Sequence, residues 1–459
     1  MMTGSRSLHR SRRRWNRGFG GLVASSLLAV GTTLVGTGAA TAATATTDLK
    51  MIFWPGPEGT AMQVVVNHFN ATTGKKEHIH VQQVLISRTG TFSKEATLIA
   101  AHSSEFDVYF TASYIVGQQQ PGLVPLTGVP TDRYFPSAYK SLSINHQLYA
   151  VPLDVSNHFL YYRTDLINKL LSDPQWINTY ETISKKVLGV ALKPKPPADW
   201  NWNDFLATAA FFTKSYNPVS PTPYGTAMQM ENIEFNTMIW MDVLWSLGGN
   251  WVNAQGKADI NTAAAMEAMQ VYRTTYVDHL TSPNSDAAEY PQTEAALSSG
   301  NAAFALQWSA GYPPLTSKSQ SPKVAGKIAI THIPGPKHVT YVHTLGDALN
   351  KYGKHKAQAL EWLQYLSTPQ AMVMYAHAGG LPSQPAVLRQ VANTQPAGYY
   401  DTIIKTVNEG GFSEPINADT QQAFTELSTA LSAGWTGLVS DKTALQEAQH
   451  DLQSLPLFG

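Results

Sequence analysis

The stretch Leu148 to Ile167, LYAVPLDVSNHFLYYRTDLI, constrains the fold more than any other part of this chain. Two apolar runs, Leu148–Leu153 and Phe159–Tyr162, flank the polar segment Asp154–His158. Each run is short and rich in Val, Leu, Tyr and Phe, the composition of a strand. Strands that pair with each other as a hairpin are joined by a tight turn, usually with glycine. No Gly-rich turn lies here, so the simplest path is extended throughout. It leaves one sheet and enters another, with Asp154 to His158 at the crossing.

The residues before the crossing supply the first sheet. Leu49 to Trp54 reads as a strand and Pro55 to Gly59 as a loop. A helix capped by Thr60 then carries Met62, Val65, Val66 and Phe69 on one face and stops near Gly74. Ile79–Ile86 is a second strand, Phe92–Ala101 a helix and Phe106–Phe110 a third strand. Alternating strands and helices predict a parallel sheet, with ligands bound beyond the carboxyl ends of its strands. Trp54 to Glu58 and Tyr109 to Ser113 stand at two such ends. After the crossing come a helix near Thr179–Val190, a helix capped by Asn203, a strand at Tyr224–Met230 and a helix at Asn236–Leu247 ended by Gly248-Gly249. Asn261 is expected to cap the next helix. A strand at Ile328–Ile333 runs into Pro334-Gly335-Pro336, read as a second crossing. Tyr341–Leu349 is a strand with Gly346 at a close backbone approach. Thr368, followed by Pro369, caps a further helix, Leu381-Pro382-Ser383 begins a third crossing, and Thr420–Leu455 reads as helical.

With 459 residues, two or three domains are expected. Apolar residues make up 43% and charged residues 14%, which excludes a disordered chain. Six of the 32 basic residues and none of the 32 acids lie in residues 1–42, so the remainder carries 26 basic and 32 acidic residues, a net charge of −6. That balance, with no basic stripe, argues against nucleic acid or an anionic membrane as partner. Arg6 to Arg17, the broken apolar run Leu22–Val35 and Ala40-Thr41-Ala42 read as a secretory signal cleaved near Ala42. The protein is expected outside the cytoplasmic membrane, periplasmic or at the cell surface, as a soluble monomer. The absence of cysteine excludes thiol catalysis and a cysteine-linked lipid anchor.

Several motifs fall in one order: Tyr149-Ala150-Val151-Pro152, Tyr161-Tyr162-Arg163-Thr164-Asp165-Leu166, Trp202-Asn203-Asp204-Phe205, the run from Trp245 through Gly248-Gly249 to Tyr276, and Glu294 to Phe304 followed by Trp308. Over roughly residues 48–390 the chain thus resembles the family 1 extracellular solute-binding proteins of ABC importers, mostly sugar binders. The resemblance implies an α/β, two-lobed periplasmic-binding-protein-like fold of the class II type, with three interlobe crossings and a ligand cleft between the lobes. It divides the chain into lobe 1 (43–154 and 334–380) and lobe 2 (155–333 and 381–459). It also implies a carbohydrate ligand, an oligosaccharide, and the membrane subunits of an ABC transporter as partners. Gln384 departs from the arginine that relatives often carry after the third crossing.

Sugars present apolar C–H faces and a ring of hydroxyls, so their sites combine aromatic platforms with fixed polar groups. The chain has eleven tryptophans and twenty tyrosines to draw on. The resemblance places Trp245 and Trp308 at stacking positions and Thr111 where relatives carry an aspartate or asparagine. Glu58 and Asp154 are candidates to accept paired hydroxyl hydrogen bonds, and Gln229 and Asp347 complete the candidate set. Trp54, Trp251 and Trp435 are assigned to packing. A secreted glycoside hydrolase is the competing reading and would need two facing carboxylates. No catalytic signature, Gly-x-Ser-x-Gly elbow or His-Glu-x-x-His motif is present. His78 with His80 and His338 with His343 read as surface residues, and no catalytic residue, metal or cofactor is expected. A non-catalytic surface scaffold is the third reading.

Overall fold

The computed structural model of the chain describes residues 45–459, apart from the side chains of Arg88 and Thr89. The secretory signal read over residues 1–42 lies outside the described residues. Twelve strands are described: β1 (Thr47–Phe53), β2 (Ile79–Leu85), β3 (Val108–Ala112), β4 (Leu123–Val124), β5 (Ser143–Ile144), β6 (Gln147–Leu148), β7 (Ala150–Arg163), β8 (Tyr224–Ala227), β9 (Ala302–Trp308), β10 (Ile328–Thr331), β11 (Thr340–Asn350) and β12 (Gly411–Phe412).

The first three strands pair in parallel as the alternating pattern requires, β1 with β2 from Thr47↔Ile79 to Phe53↔Leu85 and β1 with β3 at Met51↔Val108. Helix Pro57–Ala71 buries Met62, Val65, Val66 and Phe69 against them. This helix begins earlier than a Thr60 cap predicts. Pro57 occupies its first turn, where a fixed φ and a missing N–H cost nothing, and Gly56 precedes it at φ 127°, a conformation that favours glycine. Two other caps also move. Asn201 rather than Asn203 accepts from Asp204 N at 3.0 Å, with Asp204 Oδ2 accepting from Asn201 N in return. Thr262 rather than Asn261 accepts from Ala265 N at 3.2 Å. In both cases a neighbouring side chain of the same capping class sits at the correct offset. Thr368 caps as expected, from Ala371 N at 3.3 Å.

The two apolar runs around Asp154 form one continuous strand, β7, fourteen residues long. Its first half, Ala150 to Asn157, pairs antiparallel with β11; its second half pairs with β9 (His158↔Trp308 to Tyr162↔Phe304) and β10. The sheet order is β2-β1-β3-β11-β7-β9-β8, with β4 and β12 on β11 and β10 on β7. Along β7 the pairing partner therefore changes from β11 to β9 and β10. The loop Pro334–Pro336 is held by Gly335 N–H to Trp200 O at 3.0 Å and Lys337 N–H to Ser246 O at 3.2 Å, and β11, which follows it, pairs with β3 and β7. A bulge between Leu345 and Gly346 interrupts the pairing with β7. A side chain at Gly346 would meet Leu142 and the Val151 carbonyl, which is why only glycine fits. The third passage lies beside β7, where Val155 N bonds Leu381 O and Ser383 N bonds Leu153 O. Among the described residues no helix is long and apolar enough to cross a membrane.

Candidate functional site

Where the three passages meet, both lobes turn side chains into a common cleft. Its floor is β7 and β11, through Ser156, His343 and Leu345. One lobe adds Trp54 from the end of β1 and Glu58 from the first turn of the following helix; the other adds Phe235, Glu289, Tyr290, Trp308 and Ala310. The cavity is about 130 Å³, and a second cavity of about 310 Å³ adjoins it through Trp54 and Phe235, with Phe92, Tyr114 and Gln118 in its walls.

The rings are held by edge-to-face and tilted contacts. Trp308 lies 6.5 Å from Phe235 and 5.8 Å from His343, and His343 lies 5.7 Å from Tyr114, centroid to centroid. On the opposite wall Trp54 packs 4.7 Å from Phe110 and 6.0 Å from Phe92. Such contacts fix ring orientation before a ligand arrives. Behind Trp308 the His158 ring stands 4.0 Å away, and its Nδ1 is 2.6 Å from Asp242 Oδ2, both side chains fully buried. Asp242 Oδ1 accepts from Tyr341 N at 2.5 Å. Burial raises the Asp242 carboxyl above its ordinary range, and His158 and the Tyr341 N–H draw it back.

Of the seven residues expected at the site, the structure brings Glu58 and Trp308 into the cleft together. Trp308 is 8% exposed, so one face meets the cavity. The other five lie outside the lining of both cavities. Asp154 is 2% exposed, and its Oδ2 accepts from Tyr375 OH at 2.9 Å and Leu381 N at 2.7 Å. Gln229 donates to Gln307 Oε1 at 2.7 Å; Gln307 in turn donates to Tyr290 O at 3.2 Å, so Gln229 stands one residue behind the cleft wall. Trp245 stacks on Tyr341 and bonds Asn250 through its indole N–H. Thr111 is buried in β3 opposite Gly346, and Asp347 is buried in β11, its carboxyl pushed well above the usual range by burial. Trp54, assigned to packing, also lines the cleft, and His343 is buried there while His338 is exposed.

A further buried acid sits beside the passage. Glu414, 3% exposed, has its carboxyl raised to about 7, chiefly by burial. The folded state binds this proton more tightly than the unfolded chain, so its contribution is complete at acid pH and is lost as pH rises through about 7. We expect folding stability to fall by about 2 kcal/mol between about pH 5 and about pH 7 from this group, and Glu414→Gln to remove that part of the slope. Denaturant melts of both proteins across this range measure it; parallel curves would refute the assignment.

The sequence profile described as bacterial extracellular solute-binding protein matches residues 54–373. The chain belongs to this family. A "probable ABC transporter-binding protein" of Deinococcus radiodurans is 25% identical to this solute-binding protein over 284 residues, 59% of this chain and 60% of the relative. A "putative binding protein" of Brucella abortus is 26% identical over 188 residues, 40% of this chain and 39% of the relative. The match thus spans less than two thirds of either relative. Among solved structures, maltose-bound MalE3 of T. maritima superposes with a TM-score of 0.72 at 18% identity, covering 89% of this chain and 99% of that one. The GacH receptor of Streptomyces glaucescens superposes with a TM-score of 0.71 at 15% identity, covering 90% and 98%. The fold of this solute-binding protein is therefore the two-lobed one of these receptors.

Proposed function

We propose that this protein captures a neutral carbohydrate, an oligosaccharide, between its lobes, outside the cytoplasmic membrane, and delivers it unaltered to the membrane subunits of an ABC importer. The observation that carries the reading is the cleft lining: Trp54, Phe235, Tyr290 and Trp308 from both lobes, with Glu58 and Glu289 among them. Rings offer faces to sugar C–H groups, and carboxylates accept strong charge-assisted hydrogen bonds from hydroxyls. The solved relatives are described with maltose and acarbose, which are ligands of this class. Glu58 and Trp308 are the proposed contacts among the sequence candidates. Gln229 supports Tyr290 through Gln307, and the lobes change over inside β7, inside β11 and at Leu381–Ser383.

A saccharide panel read by thermal shift and calorimetry tests the proposal. At least one neutral saccharide should stabilise the protein, and Trp308→Ala should weaken its binding by about 2 kcal/mol, on the order of thirtyfold. Release of reducing sugar, or no stabilisation by any neutral saccharide, would reject it.

A further inference from the structure

A larger cavity than either part of the cleft lies within the second lobe. It measures about 450 Å³ and is walled by the edge strand β8, the segment Thr281–Ala288 and helix Tyr290–Ser298. That volume falls within the range of about 300–1,000 Å³ typical of small-molecule sites. None of its lining side chains carries a charge. Its apolar surface comes from alanines such as Ala227, Ala288 and Ala296 together with Met228 and Tyr224, and its polar surface from carboxamides and from hydroxyls such as that of Thr293. Thr293 is 1% exposed, and its hydroxyl has no hydrogen-bond partner in the protein. A buried hydroxyl left unpaired is destabilising, so a bound hydroxyl that pairs with it gains correspondingly.

We infer that this cavity is a second binding site, separate from the cleft, for a neutral polyol of mono- or disaccharide size. The absence of charge disfavours an anionic or cationic ligand, whose desolvation nothing here would offset. A methyl-lined floor suits sugar C–H groups, and the uncharged donors and acceptors around it suit hydroxyls. The site also shares a wall with the cleft. Helix Tyr290–Ser298 turns Thr293 and Ala296 into the cavity, while Tyr290 at its start and the preceding Glu289 line the cleft. Ala288 O, at the cavity, accepts from Met230 N and from Asn236 Nδ2, next to Phe235 of the cleft. Occupancy of one site thereby bears on the wall of the other. The inference is drawn from the cavity's own chemistry and stands apart from the reading of the cleft.

Saturation-transfer NMR with maltose and ribitol on the mature protein tests it, using Trp308→Ala to weaken the cleft and Ala296→Phe to fill the cavity. Maltose or ribitol signal should persist in Trp308→Ala and weaken about tenfold or more when Ala296→Phe is added on that background. Thr293→Val, which keeps the shape and removes the hydroxyl, should weaken the same signal if Ala296→Phe fails to fold. Glucuronate, the charged control, should give no transfer from this site. Loss of all signal in Trp308→Ala, or unchanged signal in the folded cavity variants, would overturn the second site. Signal indifferent to Trp308→Ala but lost in Ala296→Phe would keep the cavity and reject the cleft.

Discussion

Asp242→Ala is expected to lower the unfolding free energy by about 4 kcal/mol, because it leaves an imidazole and a backbone N–H buried without their partner. Asp242 lies on helix Glu234–Ser246, fully buried, with one oxygen on His158 and the other on the Tyr341 N–H of β11. Neither partner gains water when the carboxylate is removed. The His158 backbone is fixed as well, its N–H and C=O both bonded to the Thr340 hydroxyl at 3.0 and 3.1 Å. The ring therefore has little freedom to find a new acceptor. Asp242→Asn keeps an acceptor for Tyr341 and a polar contact for His158, and should cost about 1 kcal/mol. Guanidinium unfolding of the three proteins measures this; an alanine variant within 1 kcal/mol of the parent would show that the pair contributes little. Because His158 packs edge to face on Trp308, the alanine variant should also shift Trp308 fluorescence and weaken saccharide binding, and the asparagine variant should do so less.

This pair also shows what the sequence made legible. The strands and helices of the first segment follow from periodicity, and the single extended strand through Asp154 follows from two apolar runs with no turn between them. Those signals are local and survive folding. The cleft lining is a different kind of information, since it depends on which face of each element looks toward the other lobe. His343 illustrates the point. On β11 it shares a face with Tyr341 and Leu345 by the two-residue period of a strand, and Leu345 lines the cleft too. Phe235 and Tyr290 sit near helix starts and carry no motif, so only the tertiary arrangement selects them. Asp154 and Asp347 illustrate the reverse. Asp154 is held by the Leu381 N–H and the Tyr375 hydroxyl, and Asp347 is buried within β11; sequence gives a carboxylate's type but not which face it turns.

Asp154→Ala is the second large effect expected, about 3 kcal/mol, and it follows from that service. Its Oδ2 joins β7, Tyr375 of helix Pro369–His377 and the Leu381 N–H of the third passage. Hydrogen bonds to a charged acceptor contribute about 1.5–3 kcal/mol each, and both donors are buried where water cannot replace the carboxylate. Asp154→Asn retains an acceptor oxygen and should cost about 1 kcal/mol, as should Tyr375→Phe, which removes one of the two donors. The clamp ties the first passage to the third. Loosening it frees motion between strands that any lobe closure must bend together, and hinge positions of this kind alter ligand affinity without touching ligand. The alanine variant should therefore lose both stability and saccharide affinity, with Tyr375→Phe following in the same direction by a smaller amount. Were Asp154→Ala to lose affinity at unchanged stability while Tyr375→Phe stayed at parental affinity, the carboxylate would belong to the ligand and not to the hinge. Denaturant melts and calorimetry on the same three variants separate these outcomes.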